Sequence, residues 1–342
     1  MTLQSDSPAL AGERRLSGLK ARIFSPTALQ KLLAFTSLIL LLVFFSFASP
    51  AFMQMDNILG ILQATAVNGV LAIASTFVII TGGIDLSVGT LMTFTAVICG
   101  VFLTYWHLPM WLGVLAAIGT GAICGTISGT LTAKMKIPPF IATLGMMLLL
   151  KGLSLVVSAD KPIYFTDTEN FYMISQDSLI GYLLPSLPIP NAMLILFFLA
   201  IASSITLNRT ALGSNEEAVR LSGVNVDRWK IAIYGLGGAI CGVAGLLIAA
   251  RLNSAQPALG QGYELEAIAA VVIGGTSLSG GSGTILGTIL GTILGTIIGA
   301  FIMSVLTNGL RIMSVAQEWQ IVVTGLIIIL AVYADILRRR KR

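Results

Sequence analysis

The polar residues best placed to do chemistry sit where long apolar runs break. Ala72-Ile73-Ala74-Ser75 leads to Gly82-Gly83-Ile84-Asp85-Leu86-Ser87-Val88-Gly89, and Ala267-Ile268-Ala269-Ala270 leads to Gly274-Gly275-Thr276-Ser277-Leu278-Ser279-Gly280-Gly281. Each run stops at a glycine pair, then carries a polar residue, Leu, Ser and glycine. Transporters are often built from repeats whose interrupted helices meet near the translocation path. Gly82, Gly83, Asp85, Ser87, Gly274, Gly275, Ser277 and Ser279 are therefore the candidates for a path or gate. An aspartate inside a bilayer costs about 2.5–3.5 kcal/mol on insertion scales, so Asp85 needs a reason to be there. It can cap the following helix by accepting backbone N–H bonds, or it can line the path; both can hold together.

A second polar segment has a different character. Ser214-Asn215-Glu216-Glu217 has the S-x-x-E form of a capping box that starts a helix; Ala218, Val219, Arg220 and Leu221 continue it and Gly223 stops it. Roughly two turns of helix are too short to be stable alone, so a membrane domain or a partner must brace them. The segment reads either as a solvated connector or as a docking helix that carries force from a soluble motor.

Other chemistry is poorly represented. The single histidine, His107, lies in a short loop, and Cys99, Cys124 and Cys241 fall in apolar stretches without paired spacing. They read as small buried residues rather than a disulfide framework or metal site. No GxxxxGK[ST] occurs, so the chain carries no P-loop of its own.

These residues must be positioned by elements that suit a bilayer. Of 342 residues, 56% are apolar and 10% charged, whereas soluble domains carry about 25% charged residues. Runs at 32–48, 58–80, 86–105, 111–131 and 137–157 follow one another with hardly a break, each close to the ~20 residues that cross a bilayer core. The first run, 18 residues to Ser49 after a long polar leader, exceeds the ~7–15 residues of a cleavable signal and reads as a retained span.

The net charge of +5 does not imply a nucleic-acid partner, because the basic residues sit between or beyond the spans. Arg14, Arg15, Lys20, Arg22 and Lys31 form one cluster; Lys134 and Lys136 another; Arg209, Arg220, Arg228 and Lys230 a third; residues 338–342 the last. Placing all four inside threads the chain through about ten crossings. Further spans fall at 192–207, 231–250, 265–278, 284–306 and 319–336, and the acidic segment 158–191 lies outside. The span at 265–278 is short and could be re-entrant. Trp106, Trp111, Trp229 and Trp319 land at span ends, as an interfacial belt requires. The expected fold is all-α: a polytopic transmembrane helical bundle with both termini cytoplasmic. It divides into an N-terminal segment (1–31), a membrane domain (32–337) carrying the inner loop 208–230, and a basic tail (338–342).

Glycines spaced at four, Gly121-Gly125-Gly129 and Gly283-Gly287-Gly291-Gly295-Gly299, predict grooves where helix backbones approach closely. Lys151, toward the outer end of its span, is expected to snorkel to the interface.

Four ordered segments carry a resemblance. The stretches 82–89 and 274–281, Ile137-Pro138-Pro139-Phe140-Ile141-Ala142-Thr143-Leu144-Gly145 and Glu217-Ala218-Val219-Arg220-Leu221-Ser222-Gly223-Val224 resemble the signatures of ribose-type permeases of carbohydrate ATP-binding-cassette importers. The resemblance runs from the first span to the C-terminus. It implies a permease subunit of the bacterial inner membrane that passes a monosaccharide, galactofuranose or a related pentose or hexose, and is not itself an enzyme. It implies a second permease subunit, identical or related, an ATPase subunit that binds ATP and magnesium, and a periplasmic sugar-binding protein. Ser214, Asn215, Glu217, Ala218, Arg220, Leu221, Ser222 and Gly223 then correspond to the ATPase-docking loop. Two features depart from the pattern: the basic-aromatic approach to the docking segment is absent, and the Gly-Thr-Ile-Leu tract at 283–295 is long. The rival reading is an ion-coupled secondary carrier, which needs membrane-embedded ionisable groups. An enzyme would need a nucleophile–base or metal constellation, and a scaffold would pass no sugar.

Overall fold

The computed structural model of the chain describes residues 26–166, 168–209, 223–276 and 288–340. Apolar runs close their own backbone hydrogen bonds, as a bilayer demands, and they give α1 (Pro26–Ala48), α2 (Met55–Ile80), α3 (Val88–Gly100, continued by a π turn Val101–Tyr105), α4 (Met110–Ala133) and α5 (Pro139–Ser158). The expected outer segment holds a strand β1 (Ile163–Tyr164), a 3-10 turn (Phe171–Ile174) and a short α6 (Leu179–Leu183). There follow α7 (Asn191–Arg209), α8 (Val226–Leu252), β2 (Ser254–Ala255), α9 (Tyr263–Ile273), α10 (Thr288–Ile312) and α11 (Gln317–Arg340). Strands β1 and β2 pair antiparallel, with Ile163 opposite Ala255.

Among the described residues, α2, α3 with its π turn, α4, α5, α8 and α10 are long and apolar enough to cross a membrane; Leu32–Ala48, Asn191–Leu207 and Gln317–Tyr333 are shorter apolar stretches. Helix α9 is the exception among the expected spans. Its 11 residues rise only about 16 Å, roughly half of a ~30 Å core.

Helix α2 is the axis of the bundle, buried almost continuously from Thr65 to Ile79. Helix α8 crosses α4 along the first glycine series: Gly121 meets the Gly238 carbonyl, Gly125 the Tyr234 carbonyl, and Gly129 the backbone of Ile231. A Cβ at Gly129 would lie 2.9 Å from the Ile231 Cα, so only glycine permits this approach. In the second series Gly295 abuts Gly274 and Gly299 abuts Ala270, locking α10 onto α9. The first series, and Gly295 and Gly299 of the second, do the packing work that their spacing predicts; Gly283 and Gly287 lie outside the described residues.

The two ends of the bundle sort consistently. Lys136 pairs with Asp227 at 3.0 Å, so the connections before α5 and α8 share one side. On the other, Thr104 donates to the Tyr164 carbonyl (3.0 Å), Gln176 to the Arg251 carbonyl (3.0 Å), Arg251 to the Gly60 carbonyl (3.4 Å) and Asn308 to Asn57 Oδ1 (3.0 Å). These contacts gather the start of α2 and the ends of α3, α8 and α10.

Candidate functional site

Both breaks are built by the same device. At the end of α2, Gly82 N–H donates to the Ile79 carbonyl (2.9 Å) and Gly83 N–H to that of Val78 (3.2 Å). At the end of α9, Gly275 N–H donates to the Val272 carbonyl (3.0 Å) and Thr276 N–H to that of Val271 (3.1 Å). This pair of bonds is the Schellman stop, which needs a left-handed residue at its turn. Gly82 (φ +76°) and Gly275 (φ +100°) supply it. The sequence comparison aligned Gly82 with Gly274; the backbone aligns it with Gly275, one residue later. The glycine pair alone could not fix that register, because either glycine can take the positive φ.

The chain between α2 and α3 is pinned from several sides. Asp85 is 7% exposed; its Oδ1 accepts from Ser87 N–H (2.8 Å) and from Ser87 Oγ–H (2.6 Å). Ser87, rather than Asp85, is the residue at the α3 N-cap, and its own side chain makes no capping bond there. The carboxylate therefore supports the cap one step removed. Thr143 of α5 accepts from Leu86 N–H at 3.2 Å, and its hydroxyl proton is shared between the Pro139 carbonyl (2.9 Å) and the Ile84 carbonyl (3.2 Å). Gly83 lies beneath Tyr234 of α8; a Cβ there would fall 2.5 Å from the tyrosine hydroxyl.

These partners also set the surroundings of Asp85. It follows a 26-residue helix, and its chain neighbours reach Thr143, in the second turn of α5, and Tyr234, in the third turn of α8. Gly274 and Gly275 close α9, which packs against α2. Ser277 and Ser279 lie outside the described residues, as do docking residues Ser214, Asn215, Glu217, Ala218, Arg220, Leu221 and Ser222. Gly223 is described and turns left-handed (φ +84°); Asn225 then starts α8, accepting from Arg228 N–H at 3.0 Å.

Further polar groups join helices inside the bundle. Asn68 of α2 donates to Glu266 Oε2 (3.0 Å) on α9 and to Ser304 Oγ (3.1 Å) on α10. Glu264 is buried, and both its oxygens accept from Gly262 N–H at 3.1 Å. An asparagine and two glutamates within apolar runs are the signal that could have singled these out; their partners, far away in sequence, could not be read. Lys151 Nζ donates to Gln261 Oε1 at 2.9 Å in an exposed contact. Among the described residues, no group of three His, Cys, Asp or Glu is placed to hold a metal ion.

A helical membrane bundle interrupted at paired glycine breaks has a form that transporters use, and the comparison with known sequences bears on the same point. Residues 57–332 match the family described as branched-chain amino acid transport system / permease component. The chain belongs to this permease family. It is similar to the ribose import permease protein of Escherichia coli K12, with 39% identity over 323 residues covering 92% of this chain and 96% of the relative. It is 38% identical over 282 residues to the fructose import permease protein of Rhizobium meliloti (80% of this chain, 76% of the relative). It is 31% identical over 389 residues to the xylose transport system permease protein of E. coli K12 (95% of each). No solved structure matches the chain. The resemblance to ribose-type permeases read from the four motifs holds. The chain is a multi-pass protein of the bacterial inner membrane and a transport component rather than an enzyme.

Proposed function

We propose that this chain is the membrane-spanning permease subunit of an ATP-binding-cassette importer for a monosaccharide. One observation carries the reading: 39% identity to a ribose import permease across 92% of the chain. Galactofuranose or a related pentose or hexose is the cargo. The chain crosses the inner membrane about ten times with both termini in the cytoplasm, an arrangement favoured by the consistent sorting of its connections to two sides. A second permease subunit, the same or a related chain, completes the pore. An ATPase subunit, which binds the ATP and magnesium, grips the loop 214–223, and a periplasmic binding protein delivers the sugar. ATP closure of the ATPase dimer moves the docking loops and opens the pore outward; hydrolysis resets it.

The decisive experiment is reconstitution of the complex in proteoliposomes, with ribose, fructose, xylose and galactofuranose as test sugars. Loaded binding protein should stimulate ATP hydrolysis and drive uptake. Transport that persists with the ATPase inactivated would overturn the reading. Loss of uptake on collapsing the proton gradient at constant ATP would favour an ion-coupled carrier instead.

A further inference from the structure

The connection between α5 and α7 changes character half-way along. Residues 158–177 carry Asp160, Lys161, Asp167, Glu169 and Asp177, whereas no charged residue occurs from Ser178 to Asn208. The uncharged stretch therefore begins well before α7, which starts at Asn191.

Both ends of its first part are tied to the first residue of α7. Asn191 N–H donates to the Asp177 carbonyl (2.7 Å), Leu179 N–H to Asn191 Oδ1 (2.9 Å) and Asn191 Nδ2–H to the Met173 carbonyl (2.9 Å). Residues 178–190 thus form a closed loop fixed at the end of an apolar helix. Its large side chains do not turn inward: Leu179, Tyr182, Leu183, Leu184 and Leu187 are all exposed, Leu183 at 80%. Exposed leucines scattered singly need no explanation, but a cluster of them does.

The loop backbone is suited to a medium poor in water, where each unpaired N–H is costly. Gly181 N–H donates to Ser178 Oγ (2.8 Å), Leu184 N–H to the Ile180 carbonyl (2.7 Å), Leu187 N–H to that of Leu184 (2.9 Å) and Ile189 N–H to that of Leu187 (2.8 Å). Pro185, Pro188 and Pro190 have no N–H to satisfy. Tyr182 has the two-ended arrangement of an interfacial residue: its side chain stands exposed among the leucines, while its hydroxyl donates to Asp177 Oδ2 (3.3 Å) at the charged end of the loop. Tyr105, Trp106 and Trp111, exposed where α3 gives way to α4 on this same side, are the residue types of a headgroup-level belt.

Helix α7 supplies the need. Its apolar stretch, Asn191–Leu207, rises only about 25 Å, short of a ~30 Å hydrocarbon core. A short span is accommodated by thinning the bilayer or through its flanking residues. An apolar, uncharged loop fixed at Asn191 extends the apolar surface where α7 runs out.

We propose that residues 178–190 seat in the headgroup–acyl boundary of the phospholipid bilayer, while residues 158–177 stay in water. The loop carries no charge, so apolar burial rather than headgroup attraction holds it there. The inference needs only that α7 crosses the membrane, and it is independent of the cargo.

The test uses the full chain in phosphatidylcholine vesicles, with an environment-sensitive fluorophore on Leu183→Cys or, in a second variant, Leu187→Cys. Both side chains are exposed, so neither substitution opens a cavity, and the native cysteines are buried. Quenching by phospholipid with a nitroxide near the top of its acyl chain is compared with quenching by iodide in the water. Phe198→Cys, on the exposed face of α7, sets the value for lipid contact, and Lys161→Cys, also exposed, the value for water. Both loop probes should show a lipid-to-iodide quenching ratio well above that at Lys161, with emission shifted to the blue. A ratio no higher than at Lys161 overturns the inference. So does a probe quenched by neither agent, which would mean that a second copy of the chain or a partner protein covers the loop.

Discussion

Replacing Asp85 separates its two possible roles. In Asp85→Ala, the N–H and Oγ–H of Ser87, a residue only 1% exposed, lose the oxygen they reach at 2.8 and 2.6 Å. A hydrogen bond to a charged group is worth about 1.5–3 kcal/mol, and a buried donor left without a partner costs about 1–3 kcal/mol. Because both bonds share one acceptor and part of the loss is recovered by relaxation, the expected cost is about 2–4 kcal/mol, a large share of a typical folding free energy. Asp85→Asn keeps an Oδ1 acceptor in place, so its cost should be about 1 kcal/mol or less. The double variant Asp85→Ala/Ser87→Ala removes the orphaned hydroxyl and should fall short of the summed single effects. Unfolding of the purified protein in detergent, followed by circular dichroism, reads the stabilities, and ATP-driven uptake reads function. Equal destabilisation by Asn and Ala would refute the reasoning, since it would mean the acceptor geometry is not what Asp85 supplies. A stable Asp85→Asn protein with no uptake would add a role for the negative charge on the path.

Gly238→Ala should be destabilising by about 1–3 kcal/mol through overpacking, because its Cβ would collide with the Gly121 carbonyl, whereas Gly145→Ala meets nothing within 4 Å and should be neutral or slightly stabilising; equal melting temperatures would remove glycine packing from the account. Asn68→Leu breaks two cross-helix bonds and strands the Glu266 carboxylate, so it should lower stability by about 2–4 kcal/mol, and unchanged detergent stability would show that this junction is dispensable. Ser214→Cys should react with a membrane-impermeant maleimide in inside-out vesicles and not in right-side-out ones. The native Cys99, Cys124 and Cys241 are buried and should stay silent, and labelling from the periplasmic face would end the docking proposal.

Much of the fold could be read from the chain because bilayer physics is local. A run of about 20 apolar residues must be a helix, and glycine at every fourth position must face a close neighbour. Helices α2, α4, α5 and α8 therefore begin and end within a few residues of their expected bounds. What escaped were facts set by tertiary contact. The register of the second break depended on which glycine turned left-handed, and the surroundings of Asp85 on which turns of α5 and α8 lie beside it. The partner of Lys151 could not be read either, because Gln261 is 110 residues away. Helix α9 looked like a poor span because it is not a full one, and its Schellman stop at Gly275 explains where it ends.

Magnitudes also indicate how a push on the loop 214–223 would enter the bundle. That loop leads directly into α8, whose first turn is tied to the α5 side by the Lys136–Asp227 pair. The pair is exposed, at 63% for the lysine and 34% for the aspartate, and such surface pairs contribute about 0–1 kcal/mol. It is too weak to transmit a displacement of any size. The α4–α8 crossing is different: Gly121, Gly125 and Gly129 bring the two backbones into contact over several turns, with no side-chain layer between them to deform. Close-packed interiors resist compression and pass strain onward, so α4 and α8 must move as one body. Helix α2 touches that body beside Gly237, whose Cβ would meet the Ala74 carbonyl at an ordinary 3.5 Å, and beyond its end Gly83 is pressed beneath the Tyr234 hydroxyl of α8, so a displacement of α8 reaches the first break through that contact.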